Sequence, residues 1–481
     1  MFGPTLLVLL ALAAAPNSAQ LDAQEALNDQ LEQRFDGICK SLKATGGRAP
    51  ATHVRPPSLV EPRFIRWVKT CSFRALSLTG PAKEKTARLL WEFDGLTPEG
   101  ERVTEGGEAN ATLTLEKAGW VFTRFDDATR RLVRRPRARF TEVASEVGLT
   151  FPTERTGHLL LGGLAVRDVD GDGRLDVVAT NGTEVVLFTQ RKDAFGFTPT
   201  LVSAGHPKMW TSSVTAADLD DDGDADLVVT HHPGPVEVFA NERGAFTLRG
   251  TLGAPGQWHS AITADFDQDG VLDVALLPYP LESAPTNPLE ATNGFSLELW
   301  RGDGALGFTR WVEATKFPKR WTLAAVAADL LSQGRPQLYV ANDYGSNDLW
   351  KFEADGGLSN VAGARGVVDP GNGMSADVAD FDGDGRADLY VANMFSKAGT
   401  RVLSSTKGLP PQLMSAVQKF ARGNTLYVAR DDGGFDEVAG ALGVNRGLWA
   451  FGSVLTDFDA DGRLDVAVAN GYLSHPNRRD S

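Results

Sequence analysis

Apolar and polar positions alternate along this chain in two different ways. Residues 20–139 open with Leu27, Leu31, Phe35, Ile38 and Leu42, spaced by threes and fours, which predicts an amphipathic helix. A Pro-rich stretch with Pro56, Pro57 and Pro62 follows. Period-two runs come next: Ala87, Leu89, Trp91 and Phe93, then Leu113 and Leu115, then Trp120 and Phe122. These predict strands, with residues 96–100 (LTPEG) as a turn. A helix followed by a curved antiparallel sheet is expected over 20–128, a small α+β domain.

From residue 140 the pattern changes to a repeat. An apolar strand, an Asp-rich nonapeptide and a second apolar strand recur six times. Five copies fit D-x-D-x-D-G-x-x-D: 168–176, 218–226, 265–273, 380–388 and 457–465. The sixth, Asp329 to Gln337, keeps the frame and Gly334 but loses three of the four Asp. A third strand follows each core, as at Val185–Phe188 or Thr425–Val428, and a Gly-Phe turn leads to a fourth. The first Asp of successive copies stands at 168, 218, 265, 329, 380 and 457. Four strands in about 50 residues is the size of a propeller blade. The predicted fold class is mainly β, a β-propeller of six four-stranded blades over 140–481 after the α+β domain. Two longer intervals hold insertions, Leu281–Ala291 and a short helix near Pro411–Ala421. The last copy lacks an outer strand. Phe140–Gly148 resembles the outer strands at Leu358 and Phe435, so it is expected to complete the last blade and seal two sheet edges.

The nonapeptides carry the chemistry. Ca²⁺ takes six to eight oxygens, and short Asp-rich loops supply them. Carboxylates come from Asp168, Asp170, Asp172 and Asp176; Asp218, Asp220, Asp222 and Asp226; Asp265, Asp267, Asp269 and Asp273; Asp380, Asp382, Asp384 and Asp388; and Asp457, Asp459, Asp461 and Asp465. Position 7, occupied by Arg174, Asp224, Val271, Arg386 and Arg463, offers a backbone carbonyl, and Gly at position 6 permits the sharp turn. Four Asp in nine residues repel one another without a counter-ion. About five Ca²⁺ per chain are expected, with 329–337 empty. Mg²⁺ demands a tighter octahedron and suits the loops less.

These repeats resemble the FG-GAP or VCBS repeats of integrin α-subunit propellers. They are more similar still to the cartilage acidic protein family and its bacterial members, through ANDYG (341–345), ADLYVANMFS (387–396) and GNTLYVARDDGGFDEVAGALGV (423–444). The resemblance covers 140 to about 473. It implies a propeller with calcium loops on one rim and a role in recognition. Integrin propellers have seven blades, so the resemblance leaves six or seven open. The N-terminal pattern resembles the small cone-shaped domains of the nuclear-transport-factor-two type.

The net charge is −14, from 62 acidic and 48 basic residues. Five Ca²⁺ would reduce it to −4, so the acidity belongs to the loops, and nucleic acid, which needs a basic footprint, is excluded as a partner. Leu6–Ala15 has the length of a signal-peptide core, with Ala19 as the last signal residue, and no later stretch reaches membrane-spanning length. Cys39 and Cys71 are expected to pair as a disulfide in an exported chain. A secreted, periplasmic or cell-surface location follows. Residues 129–139 hold six Arg and read as a solvated linker, with a processing site or membrane-surface patch as alternatives.

Other motifs are weaker. Arg301-Gly302-Asp303 falls at a hairpin turn and reads as chance. The sequons at Asn110 and Asn181 are near random expectation. His231 and His232 read as exposed loop histidines that could line a rim. Trp210, Trp258, Trp321 and Trp449 precede strands that enter Asp loops, which predicts packed aromatics between blades. No catalytic motif is found. The functional expectation is a non-catalytic recognition or adhesion module for protein or glycan. A polysaccharide-acting enzyme is the alternative, and a structural surface component a third reading.

Overall fold

The computed structural model describes most of residues 18–470. Residues 1–17, 45–52, 55–61, 63–64, 135–141, 152–161, 313–316, 354–355, 396–421 and 471–481, with a few single positions, lie outside the described set. The signal-peptide core and the insertion near 411–421 are therefore outside it. The chain divides into two compact units at Glu142 and Val143.

In the first unit, helix α1 (Ser18–Ala44) buries Leu31, Phe35, Ile38, Cys39 and Leu42 along one stripe. The stripe packs on a five-stranded antiparallel sheet of β1 (Trp67–Thr79), β2 (Glu84–Leu96), β3 (Arg102–Glu116), β4 (Gly119–Asp126) and β5 (Arg131–Arg134). Alternate residues of β2, from Ala87 to Phe93, face the helix. Leu113 is buried, while Leu115, near the strand end, is exposed. A Cys39–Cys71 disulfide joins α1 to β1 across a Cα separation of 5.3 Å.

The Arg-rich segment departs from the linker reading. Residues 131–134 form β5, paired with Val103–Gly106 of β3. Leu132 packs against the core. Arg130 donates to the fully buried Glu105 at 2.6 Å, pairs with Asp127 and lies 4.5 Å over the Trp91 ring. Short apolar content and abundant charge hid a strand that follows an arginine, Arg130, spent on partners within the domain.

The second unit contains six antiparallel sheets among the described residues. Blade 1 comprises Leu164–Arg167, Asp176–Thr180, Val185–Gln190 and Phe197–Ser203. Blade 2 comprises Trp210–Ala217, Asp226–His232, Gly234–Glu242 and Ala245–Gly256. Blade 3 comprises Trp258–Ala264, Asp273–Pro278, Glu298–Gly302 and Phe308–Val312. Blade 4 comprises Trp321–Ala328, Gln337–Asp343, Asp348–Phe352 and Leu358–Asn360. Blade 5 comprises Gly373–Ala379, Asp388–Asn393, Thr425–Ala429 and Phe435–Glu437. The last sheet pairs Ala450–Thr456 with Asp465–Asn470. Strand order within each four-stranded blade follows the sequence. The second strands are near-continuous apolar runs, because both of their faces are covered. Neighbouring sheets share cores: Val178 and Leu187 meet Leu227 and Phe239 between blades 1 and 2, and Leu299 meets Leu338 and Phe352 between blades 3 and 4.

Exposed apolar residues mark both ends of this array, Leu164 and Val166 in blade 1 and Phe451 and Val454 in the last sheet. The segment predicted to complete that sheet carries a recurring signature. A single helical turn, α2 (Ala144–Val147), ends at Gly148 with φ +82°. The same turn follows the outer strands of blades 4 and 5, as α3 (Ala362–Arg365) before Gly366 and α4 (Ala439–Leu442) before Gly443. A Cβ on Gly148 would meet Phe197 O of blade 1, as one on Gly366 would meet Phe435 O of blade 5. Relative to blade 1, the segment thus stands where blade 4's outer turn stands relative to blade 5. The residues that would pair with the last sheet, 140–141, lie outside the described set.

Candidate metal centres and the opposite rim

Each nonapeptide joins the first and second strands of its sheet, so all six lie at the same end of their blades. Their backbone is the same throughout. Position 6 is a left-handed Gly, from Gly173 (φ +87°) to Gly462 (φ +83°), and position 4 is left-handed too. At position 4 stand Gly171 and Gly383 but also Asp221, Gln268, Ser332 and Ala460, although non-Gly residues avoid this conformation. The first Asp explains it by accepting the loop's own N–H groups. In blade 1, Gly171, Asp172 and Gly173 donate to Asp168 at 2.9, 3.1 and 2.8 Å. In the last sheet Asp461 and Gly462 donate to Asp457.

The Asp at position 9 is a clamp. Asp226 is 1% exposed; it accepts from Leu219 N at 3.0 Å and from Asn241 N of the third strand at 2.9 Å. Asp176, Asp273 and Asp388 repeat this pair of bonds, and Asp465 accepts from Phe458 N. In the divergent loop the uncharged Gln337 makes one bond of this kind, accepting from Leu331 N, one residue further along the loop, at 2.9 Å. That loop also wraps around Asp329, to which Gln333 and Gly334 donate. The fold of the loop is therefore separable from its charge.

The charge converges where it is intact. Carboxylate oxygens of Asp168, Asp170 and Asp176 lie within 4.8 Å of one another, as do those of Asp218, Asp220 and Asp226, of Asp265, Asp267 and Asp269, and of Asp380, Asp382 and Asp388. Burial, then neighbouring carboxylates, push Asp170 and Asp220 above the ordinary carboxyl range. Burial pushes Asp226 and Asp273 up to about 6. Asp220 Oδ1 is buried without a hydrogen-bond partner. Clustered oxygens with an unmatched buried acceptor suit a hard cation.

Other loop residues make further bonds within the loops. Asp172, Asp384 and Asp461 pair with Arg174, Arg386 and Arg463 two residues on. Asp224 turns away and accepts from Arg243 N. Val271 N donates to Asp269. Arg301 pairs with Asp267 at 2.6 Å and lies over Trp311, while Asp303 closes its hairpin by accepting from Ala305 and Gly307. The Arg-Gly-Asp tripeptide is thus committed internally. Asn181 is buried in a turn, accepting from Thr183 N and Glu184 N.

At the opposite ends of the blades polar and aromatic groups gather. His231 and His232 are fully buried, not exposed loop residues. Trp321 contacts Tyr279 and Tyr344 edge-on at 5.4 and 5.5 Å, and Trp258 is buried between blades 2 and 3. In blade 3 a cleft of about 560 Å³ is lined by Gln257, Trp258, Phe295, Glu298, Phe317 and Lys319. Nearby, Asp343 accepts from Tyr279 Oη at 2.8 Å while its Oδ1 has no partner, and burial pushes its carboxyl up to about 7. Because the folded value lies above the unfolded one, this group's contribution is full below about pH 4 and lost as pH rises through 7. Asp343→Asn keeps an acceptor for Tyr279 but cannot ionise. Its melting temperature relative to wild type is expected to rise between about pH 4 and pH 8, a change of up to a few kcal/mol. Thermal melts at both pH values check this; an offset that does not change with pH contradicts it.

The repeats match a known family profile. The profile of the FG-GAP-like repeat matches residues 168–229, 218–276 and 329–391, taking in the loops of blades 1 to 5. Human cartilage acidic protein 1 is 24% identical over 374 residues, 64% of this chain and 56% of that protein, so the chain spans a little over half the length of this curated relative. Among solved structures, similarity extends to an Agrocybe aegerita lectin described for recognition of non-reducing terminal N-acetylglucosamine (14% identity, TM-score 0.38, 84% of this chain and 86% of that one). It extends also to an α-L-arabinofuranosidase from Clostridium thermocellum (11% identity, TM-score 0.24, 76% and 92%). Through residues 168–276 and 329–391 the chain carries FG-GAP-like repeats.

Proposed function

We propose that this is an exported, calcium-loaded propeller that recognises a saccharide at the rim opposite its Asp loops and does not turn it over. The five intact loops would each hold one Ca²⁺, through Asp at positions 1, 3, 5 and 9 with the carbonyl of position 7. The ion would screen clustered carboxylates and fix one end of each blade. The Cys39–Cys71 disulfide supports an oxidising location. Among the described residues no helix is long and apolar enough to cross a membrane.

The blade 3 cleft carries the recognition reading. Trp258, Phe295 and Phe317 supply rings beside Gln257, Glu298 and Lys319, and Gln257 Oε1 is buried without a partner. Apolar walls with a few convergent polar groups define a ligand site, and flat rings with amide and charged groups match the alternating faces of a sugar. The insertion at 281–291 leads into the segment that supplies Phe295; its counterpart near 396–422 lies almost wholly outside the described residues. Phe295 is 43% exposed, so Phe295→Ala should leave the fold intact. On a glycan array in millimolar calcium, wild type is expected to bind a restricted set of glycans, and Phe295→Ala and Lys319→Ala to lose at least about tenfold in affinity. Binding unchanged in both variants would move the site elsewhere. Release of products from a bound glycan would favour the enzyme.

A further inference from the structure

Between blades 1 and 2, on the rim away from the Asp loops, three side chains from separate segments meet. His231 is the penultimate residue of the second strand of blade 2, Glu237 lies in the third, and His206 comes from the connection between the blades. His206 Nε2 is 3.2 Å from Glu237 Oε1, and His231 Nε2 is 3.0 Å from Glu237 Oε2. The two imidazoles stand edge to face with centroids 5.2 Å apart, and the three donor atoms lie within 4.8 Å of one another. Each imidazole therefore addresses its own oxygen of one carboxylate.

The surroundings are built around this meeting. Gly205, left-handed at φ +69°, lets the connection press against Thr183 O, where a Cβ would clash, and so delivers His206. Thr211 donates its hydroxyl to Thr183 O at 2.7 Å and stands 3.4 Å from His231 Nδ1. With its proton spent on Thr183, the Thr211 oxygen presents lone pairs to His231 Nδ1, which favours a proton there. Nε2 then faces a carboxylate oxygen at 3.0 Å, an approach that either a second ring proton or a metal ion satisfies. Side-chain exposure grades outward, from 0% at His231 and 8% at Glu237 to 38% at His206. His232 alternates to the other face and meets Tyr279 O of blade 3 at 2.7 Å, so it takes no part.

We propose that His206, His231 and Glu237 form a transition-metal site of the Zn²⁺ class, separate in place and chemistry from the Asp loops. Two imidazole nitrogens and one carboxylate oxygen are a common donor set for Zn²⁺, with a fourth position left for water or a ligand atom. Bonds of about 2.0–2.1 Å in a tetrahedron place donors about 3.3 Å apart, close to the two observed N–O separations. The open position faces the solvent side, beside His206. The hydroxyl of Thr211 is the outer partner that orients a metal-ligating histidine. Nitrogen donors disfavour Ca²⁺, so each rim takes its own class of metal.

The test uses the full chain, stripped with chelator, reloaded with excess CaCl₂ and titrated with CoCl₂. One equivalent of Co²⁺ is expected to give the intense visible absorption of a tetrahedral site, and ZnCl₂ should abolish it by displacement. His206→Ala, at the exposed lip, and Glu237→Gln are expected to lose that spectrum while the calcium content stays at the wild-type value, which shows that the propeller is folded. Thr211→Val should weaken Co²⁺ binding about tenfold or more. Absence of a tetrahedral spectrum in wild type, or a spectrum that survives His206→Ala, would overturn the proposal and leave a hydrogen-bonded His–Glu–His cluster.

Discussion

Withdrawing calcium is expected to lower the melting temperature of the propeller by many degrees without unfolding it at room temperature. A site held at about a hundredfold over its Kd adds roughly 2.7 kcal/mol to the folded state, and in a unit of this size each kcal/mol moves the transition by about 2–4 °C. The effect is a lowering rather than a collapse because the loops have a second support. Asp226 is held by its bonds to Leu219 N and Asn241 N, and the uncharged Gln337 still ties its own loop through Leu331 N. A bound calcium would relieve the repulsion around Asp170 and Asp220 and the orphaned Oδ1 of Asp220. Asp226→Asn should therefore lose most of the calcium response at blade 2 with modest destabilisation in chelator. Asp226→Ala, which strands two buried N–H donors, should cost about 2–6 kcal/mol in chelator as well. Calorimetry of the three proteins with calcium and with chelator separates the two roles. A wild-type melt that stays put after the metal is shown to be gone contradicts the stabilising role.

Arg130→Ala is expected to destabilise the N-terminal domain by about 3–5 kcal/mol. Glu105 is fully buried, takes Ile65 N at 3.1 Å, and has Arg130 as its counter-charge at 2.6 Å. Removing the guanidinium leaves a buried carboxylate without that charge and uncovers the Trp91 face. Replacing both partners, as Arg130→Met with Glu105→Gln, is expected to cost less than Arg130→Ala alone, because the double change removes the charge as well as its partner. Chemical denaturation followed by tryptophan fluorescence checks the order. If the double variant is the less stable, the pair contributes net stability and the desolvation argument fails.

Much of the fold was legible because it repeats. Period-two strands, a Gly at position 6 and an Asp frame recurring in register predicted the sheets and their connections, and the α1 stripe from Leu27 to Leu42 matched the buried face. What escaped is set by partners far along the chain. The left-handed residue at position 4 is hidden because Asp221, Gln268, Ser332 and Ala460 share no chemistry; only the N–H bonds to the first Asp reveal why it bends. The clamp at position 9 depends on a third strand 14 or more residues away, as in Gln190 N to Asp176. His206 and Glu237 are 31 residues apart, and nothing local marks His231 as buried. Strand β5 was masked by the run of arginines around it, of which Arg130 finds its partners in β3 and the preceding turn.

Five of the six structurally equivalent loops are expected to hold calcium and the sixth is not. Elemental analysis of full-length protein, equilibrated in millimolar calcium and washed through calcium-free buffer, tests it most directly. The account predicts about five calcium per chain, falling by one on Asp382→Asn and unchanged on Asp329→Asn. A count near zero or one in the wild type, or a loss of one calcium on Asp329→Asn, would contradict it.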